Sequence, residues 1–300
     1  MILPHPALDV LCVGHASYDL ILTVDHHPGE DEKCSASHFA ACGGGPAANA
    51  AVTVARLGGK AAFAGQLGRD PEGDAHAREL EGEGVLTDWI VRRPHPTPLS
   101  VILVKPDGKR TVVNHQAQTP PLPAGAVDFS CCRPKAILFD GHEPLISPPL
   151  ARWAREQGIP TILDAGSVRE GTLELAPRVD YLAASWKFAR DLTGEEAPDD
   201  AVAVLSRIAP CAVITLGEEG LVWQRGTERG RLPAFSIEAT DTTGAGDVFH
   251  GAFALGITRG QDFRSLLTYA SAAGALCCRR LGARPSIPTG DEVAAFLKNL

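Results

Sequence analysis

Six short stretches, at 10–13, 61–64, 136–139, 161–163, 181–183 and 212–216, are apolar without alternation. Unbroken apolarity over so few residues marks strands buried on both faces, as in a parallel sheet. Helix-like stretches lie between or after them, at 46–57, 71–81, 149–156, 199–208 and 248–256. Pro46 suits a first helical position and Gly58 suits the residue just past a helix end. Strands alternating with helices require crossover connections. The pattern therefore predicts an α/β fold, a doubly wound and mostly parallel sheet flanked by helices.

Two regions, 17–42 and 87–115, break that rhythm with polar alternation. The second holds an apolar run at 100–104, the turn Pro106-Asp107-Gly108 and a further run at 110–114, which predicts a hairpin. Neither region fits a βαβ unit. Together they predict a small accessory β-sheet placed as a lid or a dimer contact. No repeat, low-complexity tract or long linker divides the chain, so residues 1–300 are expected to form one domain.

Composition narrows the function. A formal charge of −8 argues against a nucleic-acid surface, which needs clustered Lys and Arg. An anionic ligand remains possible where backbone amides supply the positive field. No run approaches the roughly 20 apolar residues of a membrane span, and the first residues lack a basic leader. None of the eight cysteines forms C-x-x-C, and most sit in apolar contexts such as Leu11-Cys12-Val13. A reduced, cytoplasmic protein without membrane or nucleic-acid partners is expected.

The most informative segment is Asp241-Thr242-Thr243-Gly244-Ala245-Gly246-Asp247, leading into an apolar stretch from Val248. A glycine-rich turn opening into a helix leaves its first N–H groups without intrahelical partners and favours phosphate there. The amides of Gly244, Ala245 and Gly246 can then hold a transferring phosphoryl group while Asp247 accepts the proton of an attacking hydroxyl. Taken alone, Asp247 reads more simply as an ordinary helix N-terminal carboxylate. A second element shifts that balance. Gly43-Gly44-Gly45-Pro46 opens another helix, on which Asn49 is the only polar side chain up to Val52, suited to hydroxyls. No Walker loop, no Gly-x-Gly-x-x-Gly after the first strand and no His-Glu-x-x-His is present. His26-His27 reads as a solvated turn and His250 as a helix residue.

With these two elements the sequence resembles the ribokinase-like (PfkB) family of carbohydrate kinases. The resemblance extends over nearly the whole chain and includes Asp19, Thr215-Leu216-Gly217-Glu218-Glu219-Gly220 and the tail Leu281 to Pro288. It implies an ATP-dependent kinase acting on a sugar hydroxyl, with Asp247 as base and residues 244–246 as anion hole. Asp19, Gly44, Gly45, Asn49 and His142 would bind the sugar. Ser185, Thr215, Gly217, Gly220, Ser271 and Ala275 would line ATP. Asp241, Thr243, Gly282 and Ser286 match positions that hold a monovalent cation, usually potassium, in many members. A homodimer through the lid is implied as well.

Two departures stand out. The family's Asn-x-x-Glu, which helps organise magnesium, is replaced by Ser185-Trp186-Lys187-Phe188, leaving Asp164 and Glu218 as candidates for the Mg2+ water network. His142 stands where ribokinase has a substrate-binding Glu, which turns the expectation away from ribose. Asp140-Gly141-His142 and Leu163 to Ser167 look like ketohexokinase and sulfofructose kinase relatives. The acceptor stays open among a ketose, an aldose, a sugar acid, a nucleoside and a phosphosugar. A phosphosugar would need lid cations, for which Lys105, Lys109 and Arg110 are available. The other class in play is a sugar-binding regulator without catalysis.

Overall fold

A computed structural model describes residues 7–116 and 119–299; residues 1–6, part of the leader argument, lie outside them. The first half of the chain runs β1 (Leu8–Val13), β2 (Ser17–Thr23), β3 (His38–Gly44), α1 (Pro46–Arg56), β4 (Ala61–Gly68), α2 (Pro71–Gly82), β5 (Leu86–Arg93), β6 (Leu99–Val104), β7 (Arg110–His115) and β8 (Pro134–Phe139). Next come α3 (Ser147–Glu156), β9 (Thr161–Ala165), α4 (Glu170–Leu175), β10 (Tyr181–Ser185), α5 (Trp186–Thr193), α6 (Pro198–Leu205) and β11 (Cys211–Thr215). The chain continues through β12 (Leu221–Arg225), β13 (Glu228–Leu232), α7 (Ala245–Thr258), α8 (Phe263–Cys277), α9 (Ala283–Ser286) and α10 (Gly290–Lys298).

Nine strands form one sheet in the order β13-β12-β11-β10-β9-β8-β1-β4-β5. Pairing is parallel from β11 to β5 and antiparallel only at β12 and β13. Both faces are covered, which explains the unbroken apolar runs. Val10, Cys12, Phe63 and Leu138 pack into one core layer, while Leu11, Val13, Ile137 and Phe139 pack into the other. Strand order reverses between β1 and β8, and the crevice beyond their C-terminal ends is where open α/β sheets place ligands.

The smaller sheet has the order β3-β2-β6-β7 and carries the expected hairpin, closed by Gly108 N–H to Lys105 C=O at 2.9 Å. Its inner face buries Ile21, Cys42, Ile102 and Val104. The lid does not begin at residue 87: β5 is a parallel edge strand of the main sheet, paired with β4. Only Trp89 is buried along β5, so its half-exposed edge position gave it the polar alternation that suggested a lid strand. All eight cysteines are free, and among the described residues no helix is long and apolar enough to cross a membrane.

Candidate active site

Helix α7 begins at the glycine-rich turn. Gly244 caps it with a left-handed φ of 78°, and a Cβ there would stand 2.5 Å from that of Ala283. Ala245 N–H makes a long 3.4 Å bond to Thr242 C=O, and the first intrahelical bond is Val248 N–H to Gly244 C=O, 2.9 Å. The Gly246 and Asp247 amides are therefore the orphan donors that a helix start leaves. A side chain at 246 would meet open space, which makes this the accessible side of the turn.

Asp247 sits one turn into α7 and is half-buried. Its Oδ2 accepts 2.7 Å from Asn49 Nδ2 on α1. Burial, followed by the charge of Asp164, pushes its pKa up to about 7. The other end of the Asn49 amide is fixed too, because its Oδ1 accepts 3.0 Å from Arg284 Nε. Arg284 is 1% exposed and lies against His76 Nε2 at 3.2 Å and Glu79 Oε1 at 3.5 Å. Its C=O accepts from Arg56 Nη1, so α1, α2 and α9 are locked around one guanidinium. That lock sets the orientation of the amide: nitrogen faces Asp247 and oxygen faces Arg284.

Beneath Asp247 lies a second carboxyl, Asp164 on β9, 7% exposed, with Oδ2 3.3 Å from His250 Nδ1 on α7. His250 Nε2 is 3.2 Å from Ala183 C=O, so Nε2 carries the donating hydrogen. Burial lowers the His250 pKa and keeps the ring neutral. Its Nδ1 makes no hydrogen bond among the described residues, although Asp164 Oδ2 lies 3.3 Å away. Burial, with Asp140 adding to it, raises Asp164 to about 7.

The remaining residues expected to bind a sugar come from β2, β3 and the turn after β1. Asp19 accepts 2.8 Å from Ser17 Oγ and is pushed upward by burial. Gly44 lies so close that a Cβ there would sit 2.1 Å from Asp19 Oδ2. Gly45 packs on His15 and Ala16. Asp19, Gly44, Gly45, Asn49 and Asp247 are thus gathered by the two helix starts. His142 sits across the 14–16 turn, its ring stacked on His15 with centroids 4.7 Å apart. Asp140 holds that turn, accepting from His15 N–H at 2.8 Å and His142 N–H at 2.9 Å.

Of the residues expected to line ATP, Ser185 and Thr215 are register partners at the ends of β10 and β11. The Ser185 hydroxyl donates to Gly166 C=O and accepts from Phe188 N–H, so it serves as the α5 cap. Gly217 and Gly220 frame a tight turn, both with left-handed φ. Ser271 and Ala275 lie on α8, which packs against α7 through Gly274. Asp241 is buried and gathers Thr243 N–H, Thr243 Oγ1 and Gly282 N–H within 2.9 Å. Ser286 Oγ is buried without a partner. Of the magnesium candidates, Glu218 is exposed and Asp164 is engaged by His250. Lys187 pairs with exposed Asp191 on α5.

The sequence reading missed Arg284, His15 and Arg169. A lone charge inside the small-residue run Gly282-Ala283-Arg284-Pro285-Ser286 was the available signal for Arg284. His15 and Arg169 carried none without the fold.

Comparison with known proteins bears on this geometry. The family model for pfkB family carbohydrate kinases matches residues 7–290. The chain is similar to the ribokinase of Lactococcus lactis, at 27% identity over 97% of each sequence. It is also similar to an ATP-dependent ribose-1-phosphate kinase of Halopiger xanaduensis, at 31% identity over 96% of this chain and 97% of that one. Among solved structures, the ribokinase of Arabidopsis thaliana complexed with ribose and ATP superimposes with a TM-score of 0.86 at 28% identity, covering 98% of this chain and 99% of that one. The chain belongs to the pfkB family and is an ATP-dependent carbohydrate kinase.

Proposed function

We propose that the enzyme transfers the γ-phosphoryl group of ATP to a hydroxyl of a sugar, with Asp247 as the general base. The observation that carries this reading is a carboxylate with a pKa of about 7 beside the free amides of a helix start. A base near neutral pKa balances ionisation against proton affinity, and the amides offset charge on the phosphoryl oxygens. Asp19 and the second N–H of the Asn49 amide orient the acceptor hydroxyls. The loop at 215–220 and α8 take the nucleotide. The curated relatives named as ribokinases support a sugar as acceptor, and the deep carboxylates argue against a non-catalytic regulator.

Magnesium neutralises charge between the β and γ phosphates in such reactions. Among the described residues no group of three or more His, Cys, Asp and Glu converges on a metal. The ion would then be held chiefly by nucleotide oxygens and water, with Asp164 and Glu218 the candidate protein carboxyls. Asp241, Thr243, Gly282 and unpartnered Ser286 fit a monovalent cation such as potassium behind the anion hole. The outer lid face carries exposed Phe39 and Val113 beside Leu20, Leu22 and Val101, an apolar strip suited to a second copy of the chain. The free and mostly buried cysteines suit a reducing cytoplasm.

The test is ATP consumption, coupled to ADP detection, across aldoses, ketoses, sugar acids and nucleosides, with wild type and Asp247→Asn. Turnover in the variant should fall by about three orders of magnitude while KM for ATP stays put. Undiminished turnover in Asp247→Asn would remove it as the base.

A further inference from the structure

A cavity of about 260 Å³ opens beside the acceptor residues, bounded by the 14–16 turn that also packs on Gly45. Its charged lining comes from the 141–144 and 169–171 turns. Each carboxylate there is already occupied or peripheral. Asp140, below the turn, accepts four bonds or contacts from His15, His142 and Ala47. Glu143 accepts 2.7 Å from Leu122 N–H and 2.9 Å from Gln66 Nε2. Glu170 is exposed at the rim. His15 is kept neutral by burial.

Arg169 differs from all of these. Its guanidinium forms no ion pair among the described residues; Nη2 donates 2.6 Å to Ser167 Oγ, and Nε is buried with no partner. Gln66 Oε1, in the same lining, is buried and unpartnered too. A buried guanidinium nitrogen left unpaired costs stability unless a ligand completes it. The lid cations do not compete for this role: Lys105 and Lys109 close on Asp107, and Arg110 donates to Thr242 Oγ1.

We propose that the acceptor is an anionic sugar, a polyol carrying a carboxylate or phosphate, whose charged end is bound by Arg169 while a hydroxyl donates to Gln66 Oε1. This rests on the kinase reading above and names its substrate class. The guanidinium fork matches the two oxygens of either anion, so the two chemistries are separated by assay.

The experiment compares kcat/KM for matched pairs: an aldonic acid with its aldose, and a sugar phosphate with its free sugar. In wild type, one anionic member should exceed its neutral partner. Arg169→Gln should lower that value about 100-fold while the neutral sugar changes less than about threefold, and Arg169→Lys should retain part of the preference. If Arg169→Gln proves unstable by thermal melt, calorimetric binding of the same pairs to wild type without ATP decides, with tighter binding of the anionic member expected. Best activity on a neutral sugar, or equal losses on both members of a pair, would overturn the assignment while leaving the kinase intact. No ATP consumption with any acceptor would defeat the kinase reading itself.

Discussion

Replacing Asn49 by Leu removes the hydrogen bond that its Nδ2 donates to Asp247 at 2.7 Å and leaves the α1 helix packed. A hydrogen bond to a charged group contributes about 1.5–3 kcal/mol, and one pKa unit corresponds to about 1.4 kcal/mol, so the Asp247 carboxyl should rise by about one to two units. It starts at about 7 because burial and the Asp164 charge outweigh the Asn49 bond. A base works only when ionised, so activity lies above its pKa and is lost as the pH falls through it. The acid limb of the kcat/KM profile should therefore move from near neutrality to about pH 8–9. At pH 7 the ionisation loss alone should lower the rate about 5- to 50-fold, and that part should recover in alkaline buffer. Arg284→Met should move the limb the same way, since it frees the far side of the amide to rotate. The assay is initial-rate kinetics from pH 5.5 to 9.5 with saturating ATP. An acid limb that stays in place in both variants, with folding intact, would show that the Arg284–Asn49–Asp247 chain does not set the base.

Other expectations follow from the same groups. Asp164→Asn should shift the acid limb downward, because it deletes the charge that raises Asp247 next after burial; an upward shift in the rate profile would contradict this. Asp247 binds its proton more tightly folded than at its ordinary 3.8, so it withdraws stability as the pH rises from about 4 to about 7. Asp247→Asn should accordingly melt a few degrees above wild type at pH 8, with the difference closing near pH 4, as read by scanning calorimetry. Phe39→Asp on the outer lid face should convert a dimer to a monomer in sedimentation velocity while circular dichroism shows the fold intact; a wild type already monomeric at micromolar concentration would count against lid pairing.

The central sheet was legible because both its faces are covered: β1, β4, β8, β9, β10 and β11 have no polar alternation to hide them. Edge strands lose that signal. β5 buries Trp89 alone, and β13 buries nothing fully, so one read as lid and the other not at all. The helix starts at Gly45 and Gly244 were visible because close approach and left-handed φ demand glycine, and that demand shows in sequence. Groups that act across long separations left no such trace. Asn49 meets Asp247 across 198 positions and Arg284 across 235, a juxtaposition no local spacing encodes.

The two deep carboxyls illustrate how one crevice gives like groups unlike roles. Asp164 and Asp247 both reach about 7 and act on each other, so their protons come off as a pair. Their neighbours break the tie. His250 commits Nε2 to Ala183 C=O and brings Nδ1 within 3.3 Å of Asp164 Oδ2 without a hydrogen bond, so it gives Asp164 no donor. Asn49 presents only a donor to Asp247, and that favours charge there. The Asn49 bond thus favours ionisation of the carboxyl at the accessible helix start, against the burial and the Asp164 charge that raise its pKa. That bond depends on the orientation of one amide, which in turn depends on a buried guanidinium supplied from α9.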